Sequence, residues 1–242
     1  MALAGNQARV FIDGVDLSCI TATLDVESTT GEYDATVLCS TVMEYRPGLS
    51  QGGITIDGFF DGVDGGTEEA LYEALGASNK IVGAIFDYSN IPAPAYIIEN
   101  ASNMGLSWTS PTDGLITING SFKGKEGMKR GKILNYNVSR GATGLMTAGQ
   151  IPGTLTTSIG RIFLVFHGYT GALSGNVTAV VQSSANGTSG WGNEASFTFA
   201  APDAQGAALT TPLGEYFTVN LTSLGGATTV NLSLIVVVDD VT

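Results

Sequence analysis

The sequence predicts an all-β protein: an N-terminal β-sandwich or barrel with one short helix, followed by a C-terminal β-sandwich. Three observations carry that expectation. Apolar and polar residues alternate with a period of two in many short runs. Glycine is abundant, 33 of 242 residues, and with Ser and Thr it separates those runs as turn-formers do. Only one stretch has helical spacing.

The first run, "ARVFIDGVDLS", alternates over Val10–Asp13 and turns at Asp13-Gly14, a dipeptide that suits a hairpin. In "CITATLDVES", Ile20, Ala22, Leu24 and Val26 point one way and Thr21, Thr23, Asp25 and Glu27 the other. A polar loop is expected over "STTGEYDATVLC". One helical turn is expected over Thr41–Arg46, stopped by Pro47, because the residue before a proline avoids helix. "GGITIDGFFDG" then reads as a strand with Ile54 and Ile56 on one face.

The single helix falls on "TEEALYEALGA". Thr67 is its expected N-cap, Glu68 and Glu69 complement the helix dipole, and Gly76 ends it. Ala70, Leu71, Ala74 and Leu75 form its apolar stripe. Strands follow at "KIVGAIFDYS", "AYIIENAS" and, after the turn "SPTDG", at "LITINGSFKG". Five of the ten basic residues lie in Lys123–Lys132: Lys123, Lys125, Lys129, Arg130 and Lys132. That cluster reads either as a solvated hairpin or as a contact for acidic groups of a neighbouring identical subunit.

Composition then shifts and divides the chain into residues 1–138, a Gly/Thr/Ser linker at 139–158, and residues 159–242. The first part carries 17 acidic and 8 basic side chains, whereas the whole chain has 22 and 10. The last part is nearly uncharged and reads as successive strands: "RIFLVFHG", "NVTAVVQSS", "ASFTFAA", "EYFTVNLTS" and "TTVNLSLIVVVDD".

The formal charge of −12 argues against a non-specific grip on nucleic acid, which needs cations to neutralise phosphates. It suits a surface that nucleic acid slides past. No apolar run is long enough to span a membrane, and the N-terminal residues lack the apolar core of a signal peptide. Cys19 and Cys39 are expected as reduced, mostly buried thiols. No pattern of metal-ligand spacing, phosphate cradle or nucleophile elbow is present, so no cofactor and no enzyme activity are expected. The one histidine, His167, is expected to be structural or on the surface.

The order strand, "DGVDLS", strand, loop, "TVMEYRPGLSQGGITIDGFFDG" and acidic helix start resembles the tail tube (major tail) proteins of long-tailed bacteriophages. Tyr45, Pro47, Gly48 and Leu49 match that family's turn, and Phe59, Phe60 and Asp61 its strand end. The likeness covers residues 8–138. Residues 159–242, through Trp191, Gln205 and Tyr216, look like the sandwich domain often appended to phage tail proteins and exposed outside the tube. The resemblance implies a virion structural protein that assembles in the host cytoplasm into stacked hexameric rings, the conduit for DNA ejection. It implies tape-measure, tail terminator and tail-tip proteins as partners, and DNA passing without specific binding. Tyr33, Met43, Tyr45, Arg46, Pro47, Gly48 and Leu49 would form a subunit-interface loop. Lys123, Lys125, Lys129, Arg130 and Lys132 would pair between subunits, and Asp25 and Glu27 would face the lumen. Another virion structural or decoration protein, a carbohydrate-binding module or adhesin, and a glycan-active enzyme stay open as alternatives.

Overall fold

The computed structural model describes residues 7–34, 42–43, 45–63, 66–125, 127–151, 160–209 and 214–238; for 33, 45–50 and 238 it describes the backbone alone. The described residues form sixteen strands and one helix. In order they are β1 (Arg9–Ile12), β2 (Val15–Asp16), β3 (Thr21–Asp34), β4 (Tyr45–Phe59), α1 (Thr67–Glu73), β5 (Lys80–Ile85), β6 (Ala93–Thr109), β7 (Thr117–Gly124) and β8 (Met128–Arg140). There follow β9 (Gly144–Leu145), β10 (Gly149–Gln150), β11 (Gly160–Thr170), β12 (Val177–Ser184), β13 (Gly192–Phe199), β14 (Asp203–Ala208), β15 (Tyr216–Leu224) and β16 (Thr229–Val238). The all-β expectation holds.

Eleven strands form one sheet. Its main path runs β14-β11-β16-β8-β6-β5-β1-β2, and β7, β4 and β3 branch from the far half of β6. The remaining five strands, β9, β10, β12, β13 and β15, form a second sheet. β11 and β16 are buried on both faces. In β11, Ile162, Leu164 and Phe166 pack toward the second sheet with Val181, Phe217 and Val219. Phe163 and Val165, one residue out of phase, pack with Phe11, Ile85, Ile97, Ile133 and Ile235. Strand alternation thus feeds two cores from one strand.

The ends of the path meet. His167 Nδ1 lies 3.3 Å from the Gly14 carbonyl in the β1–β2 turn. A side chain on Gly14 would sit 2.4 Å from the Asp203 nitrogen and the Phe166 oxygen. The strip therefore curls around Phe11, Phe163 and their neighbours, and glycine is what lets the turn reach the far edge.

A third core lies under α1, where Ala70, Leu71 and Ala74 pack on Ile54, Ile56, Ile118 and Phe122. The helix N-cap is Gly66, not Thr67. Thr67 begins the helix instead, and its hydroxyl is buried. Leu75 leaves the predicted stripe and is exposed, because the helix ends at Glu73 and Leu75 bridges to Asn103.

The structure departs from the sequence reading elsewhere too. Ser28–Asp34 is strand rather than loop, and Tyr45 and Arg46 pair with Asp34 and Tyr33 rather than forming a helical turn. Thr41 and Glu44 lie outside the described residues, as does Cys39. Pro47 sits inside β4, opposite Glu32, where β7 has not yet joined on the other side. A strand with one open side tolerates a missing N–H. Cys19 is exposed rather than buried. In the 139–158 stretch, β8 runs to Arg140, and β9 and β10 both pair with β15; residues 152–159 lie outside the described residues. β16 pairs with β8 on one side and β11 on the other, so one sheet runs from the N-terminal strands into the C-terminal ones.

Candidate assembly surface

Four strands, β3-β4-β7-β6, build a sheet with two unlike faces. Residues in register across it share a face. Val26, Ile54, Phe122 and Asn103 form one row toward α1, and Leu24, Ile56, Gly120 and Leu106 form the next. Gly120 lets the helix pack close, since a side chain there would meet Leu71 Cδ2 at 2.7 Å and push that leucine aside. Asn103 ties the helix to the sheet. Its Nδ2 donates to the Leu71 carbonyl at 2.9 Å, and its Oδ1 accepts from the Ser121 N–H at 3.2 Å.

The opposite face is polar in every row. Thr23, Asp57, Asn119 and Ser107 form one row, Asp25, Thr55, Ser121 and Gly105 the second, and Glu27, Gly53, Lys123 and Ser102 the third. Asn119 donates to Asp57. The predicted lumen candidates Asp25 and Glu27 are both exposed on this face. Asp57 joins them, and the sequence reading missed it. Three carboxylates and one ammonium, Lys123, give the face a negative excess.

Both lateral edges of this sheet are open among the described residues. β3 pairs only with β4 over fourteen residues. At the other side, β5 accompanies β6 only as far as Ala101, and Leu75 bridges Asn103. From Met104 to Thr109, β6 has a strand neighbour only at β7. Unpaired edges are templates for another strand.

The β3–β4 hairpin also outgrows its sheet. β7 covers β4 only from Gly53 to Phe59, while β3–β4 pairing continues to Asp34 and Tyr45. Six residue pairs, from Ser28–Gly52 to Asp34–Tyr45, thus form an arm, roughly 20 Å long at about 3.3 Å per residue. Tyr33, Tyr45, Arg46, Pro47, Gly48 and Leu49 all lie along this arm. Met43, beside Val42, precedes its return strand, and both are exposed. The expected interface loop is therefore a strand pair.

The basic cluster brackets the β7–β8 hairpin beside the arm's root. Lys123, Lys125 and Arg130 are exposed, and Lys132 is half-buried. Lys129 differs: its Nζ lies 3.0 Å from Glu99 Oε2 in its own chain, and Arg161 takes the other oxygen of that carboxylate. Both partners of the Lys129–Glu99 pair are mostly buried.

His167 is structural. Ser233 Oγ accepts from the Asn137 N–H at 2.7 Å and sits 2.7 Å from His167 Nε2. The Gly14 carbonyl can only accept, so Nδ1 carries the imidazole proton and donates to it, and Nε2 of the neutral ring accepts the Ser233 hydroxyl proton. Burial lowers the pKa of the imidazole, against smaller upward pulls from Asp16 and the Gly14 carbonyl. Nearby, the Tyr136 hydroxyl donates to Asp16 and is held far above its ordinary pKa, first by burial and then by that carboxylate. No group of three or more metal-ligating side chains occurs among the described residues, and none of their helices is long and apolar enough to cross a membrane.

No family model matches the sequence, and no curated protein does. Among solved structures, the chain is similar to the SPP1 tail tube, at 14% identity over 64% of this chain and 95% of that one, with a TM-score of 0.46. It is similar to a chain of the virion of a native gene transfer agent particle, at 12% identity over 53% and 98%, with a TM-score of 0.44. It is also similar to the SPP1 Dit (gp 19.1) protein, described as a paradigm of hub adsorption apparatus in Gram-positive infecting phages. That match has 11% identity over 95% and 98%, with a TM-score of 0.35.

Proposed function

We propose that this chain is a structural subunit of a phage-type tail tube. The observation that carries the reading is the β3-β4-β7-β6 sheet, with two open edges, one apolar face under α1 and one polar face. The β3 edge of one copy pairs with the Met104–Thr109 edge of the next, and repetition around an axis closes a ring. Closure covers the Met104–Thr109 edge and the part of β3 within the sheet, as a barrel does. The ring is hexameric by the family resemblance. Its polar face lines the bore, where Asp25, Glu27 and Asp57 repel the DNA that travels through.

Residues 1–138 supply the wall in this reading, 139–158 the connection, and 159–242 an outer sandwich. Rings stack into a virion tail, assembled in the host cytoplasm with tape-measure, terminator and tip proteins. The chain does no chemistry and takes no cofactor.

Electron microscopy of the purified protein at high concentration tests this. Hollow rings or tubes with a six-fold repeat are the expected result. A protein that stays monomeric at every concentration, and is missing from the tail of any virion that encodes it, overturns the proposal.

A further inference from the structure

Beside the start of β3 lies a cavity of about 360 Å³. Arg9, Val10 and Cys19 line it, and its β3 walls are Thr21, Ala22 and Leu24. No residue of β4 lines it, so it sits on the flank of β3 that has no strand neighbour. Cys19 is exposed there. Arg9 brings a cation, its guanidinium stacked 3.7 Å over the Tyr88 ring.

A ring that joins β6 of one copy to β3 of the next has a fixed stagger. Paired residues share a face, so the offset between copies is an even number of residues. Four strands about 4.8 Å apart, tilted about 35–45° and rising about 3.3 Å per residue, give an offset of roughly four to six residues. Its direction follows from chirality. On a strand running upward, an L-residue whose side chain points at the viewer directs its N–H and C=O to the right. Phe59, on the same face of β4 as Asp57, turns its N–H toward β3, donating to the Ile20 carbonyl at 2.9 Å. The α1-face residues of β4 therefore turn theirs toward β7. Seen from the α1 side with β4 running upward, β7 and β6 lie to the right, and β3 runs downward. Barrel strands coil right-handed, so a row leaving β6 meets the next copy's β3 further along the chain. Trp108 shares a row with Thr21. It thus falls opposite Val26 or Ser28 of the next copy, and that copy's Thr21–Leu24 comes level with the β6–β7 turn, Ser110–Gly114.

That turn suits the cavity. Residues 109–117 are exposed throughout, and Leu115 is 68% exposed. Asp113 is the only charged residue between 100 and 122. We infer that the cavity beside Cys19 receives the β6–β7 turn of the neighbouring copy in the same ring, with Leu115 against Val10 and Leu24 and Asp113 beside Arg9. The inference rests on the ring reading above and adds a joint outside the strand pairing. Two bare edges can slide by two residues without changing faces. A turn seated in a cavity holds one register.

The test uses the thiol already at the site. Cys39→Ser leaves Cys19 as the one native thiol. In that background, maleimide labelling of Cys19 should run at least about tenfold slower in rings than in the monomer. Leu115→Cys, in the same background, should link to Cys19 of the next copy through a short bis-maleimide and give a covalent ladder in denaturing gels. Met104→Cys, exposed on the same β6 edge but away from the turn, should give none. Leu115→Asp should raise the concentration needed for rings. Rings in which Cys19 labels at the monomer rate, or in which Leu115→Cys gives no ladder, overturn the inference and leave the ring reading standing. A ladder from Met104→Cys overturns the stagger. A chain that never forms rings overturns the ring reading and the joint together.

Discussion

Ser233 Oγ lies 2.7 Å from His167 Nε2, and the same hydroxyl accepts the Asn137 N–H. The Gly14 carbonyl can only accept, so the imidazole gives it the Nδ1 proton across the seam where the curled sheet meets itself, and Nε2 takes the serine's. A proton added at Nε2 forces the Ser233 hydroxyl to turn its own proton away from the ring, and Ser233 is fully buried, away from water that could take it.

That geometry gives stability a pH dependence. The folded pKa of His167 is lowered, chiefly by burial, so the unfolded chain binds its proton more tightly. The contribution is complete above pH 6.5, the ordinary histidine value, and is lost as pH falls below it. Urea unfolding at pH 7.5 and pH 5.5 should show a lower midpoint at the acid value. His167→Gln should flatten that difference. Asp203, raised mainly by burial, works in the opposite sense at the lower pH of carboxylates, so the comparison with His167→Gln isolates the histidine. Equal slopes in the two proteins would remove His167 as the cause.

The same seam depends on Gly14. A methyl group there would meet backbone atoms of Phe166 and Asp203 at 2.4 Å, and backbone does not yield as a flexible side chain does. Gly14→Ala should destabilise the fold by about 2–3 kcal/mol, within the range for overpacked sites. Amide exchange should speed up first in β1, β2 and β14. Uniform loss of protection across the whole chain would argue against a local opening.

Glu99 holds two cations from different strands, Lys129 of β8 and Arg161 of β11. Replacing it leaves both without their carboxylate in a mostly buried setting. Glu99→Gln should cost about 2–4 kcal/mol, somewhat less than a fully buried pair because Arg161 keeps some contact with water. Denaturant midpoints of Glu99→Gln and of Lys129→Met would check it. The second variant should cost less, since its carboxylate keeps Arg161.

The polar face can be tested apart from the assembly contacts. Asp25→Lys with Glu27→Lys changes exposed side chains and leaves both sheet edges intact. Such tubes should still form and should retain short duplex DNA at low salt, releasing it at high salt. Wild-type tubes should retain none. Equal retention by both would place these residues away from the bore.

Much of the fold was legible in the sequence, for a local reason. β11, β12 and β16 announce themselves because alternating or continuous apolar runs have no other use at that length. The arm was not legible, because Ser28, Thr29, Thr30, Glu32 and Asp34 are all exposed and so leave no pattern to read. β14, "DAQGAA", has no strand-like composition and is a strand because β11 offers it an edge. The polar face was half legible: Asp25 and Glu27 follow from alternation, whereas Asp57 reaches the same face only through the register of β3 with β4. The Lys129–Glu99 pair could not be foreseen, since thirty residues separate the partners and only the β6–β8 pairing brings them together.

β16 is the last described strand to be synthesised, and it is the middle one of three, with β8 on one flank and β11 on the other. Until Thr229–Val238 leaves the ribosome, β8 and β11 have no strand between them. A growing chain thus exposes Leu164 and Phe166 on one side and Ile133 on the other with nothing between them. A product that stops before Thr229 lacks the strand that joins β8 to β11, and with it the residues that close both cores around that seam.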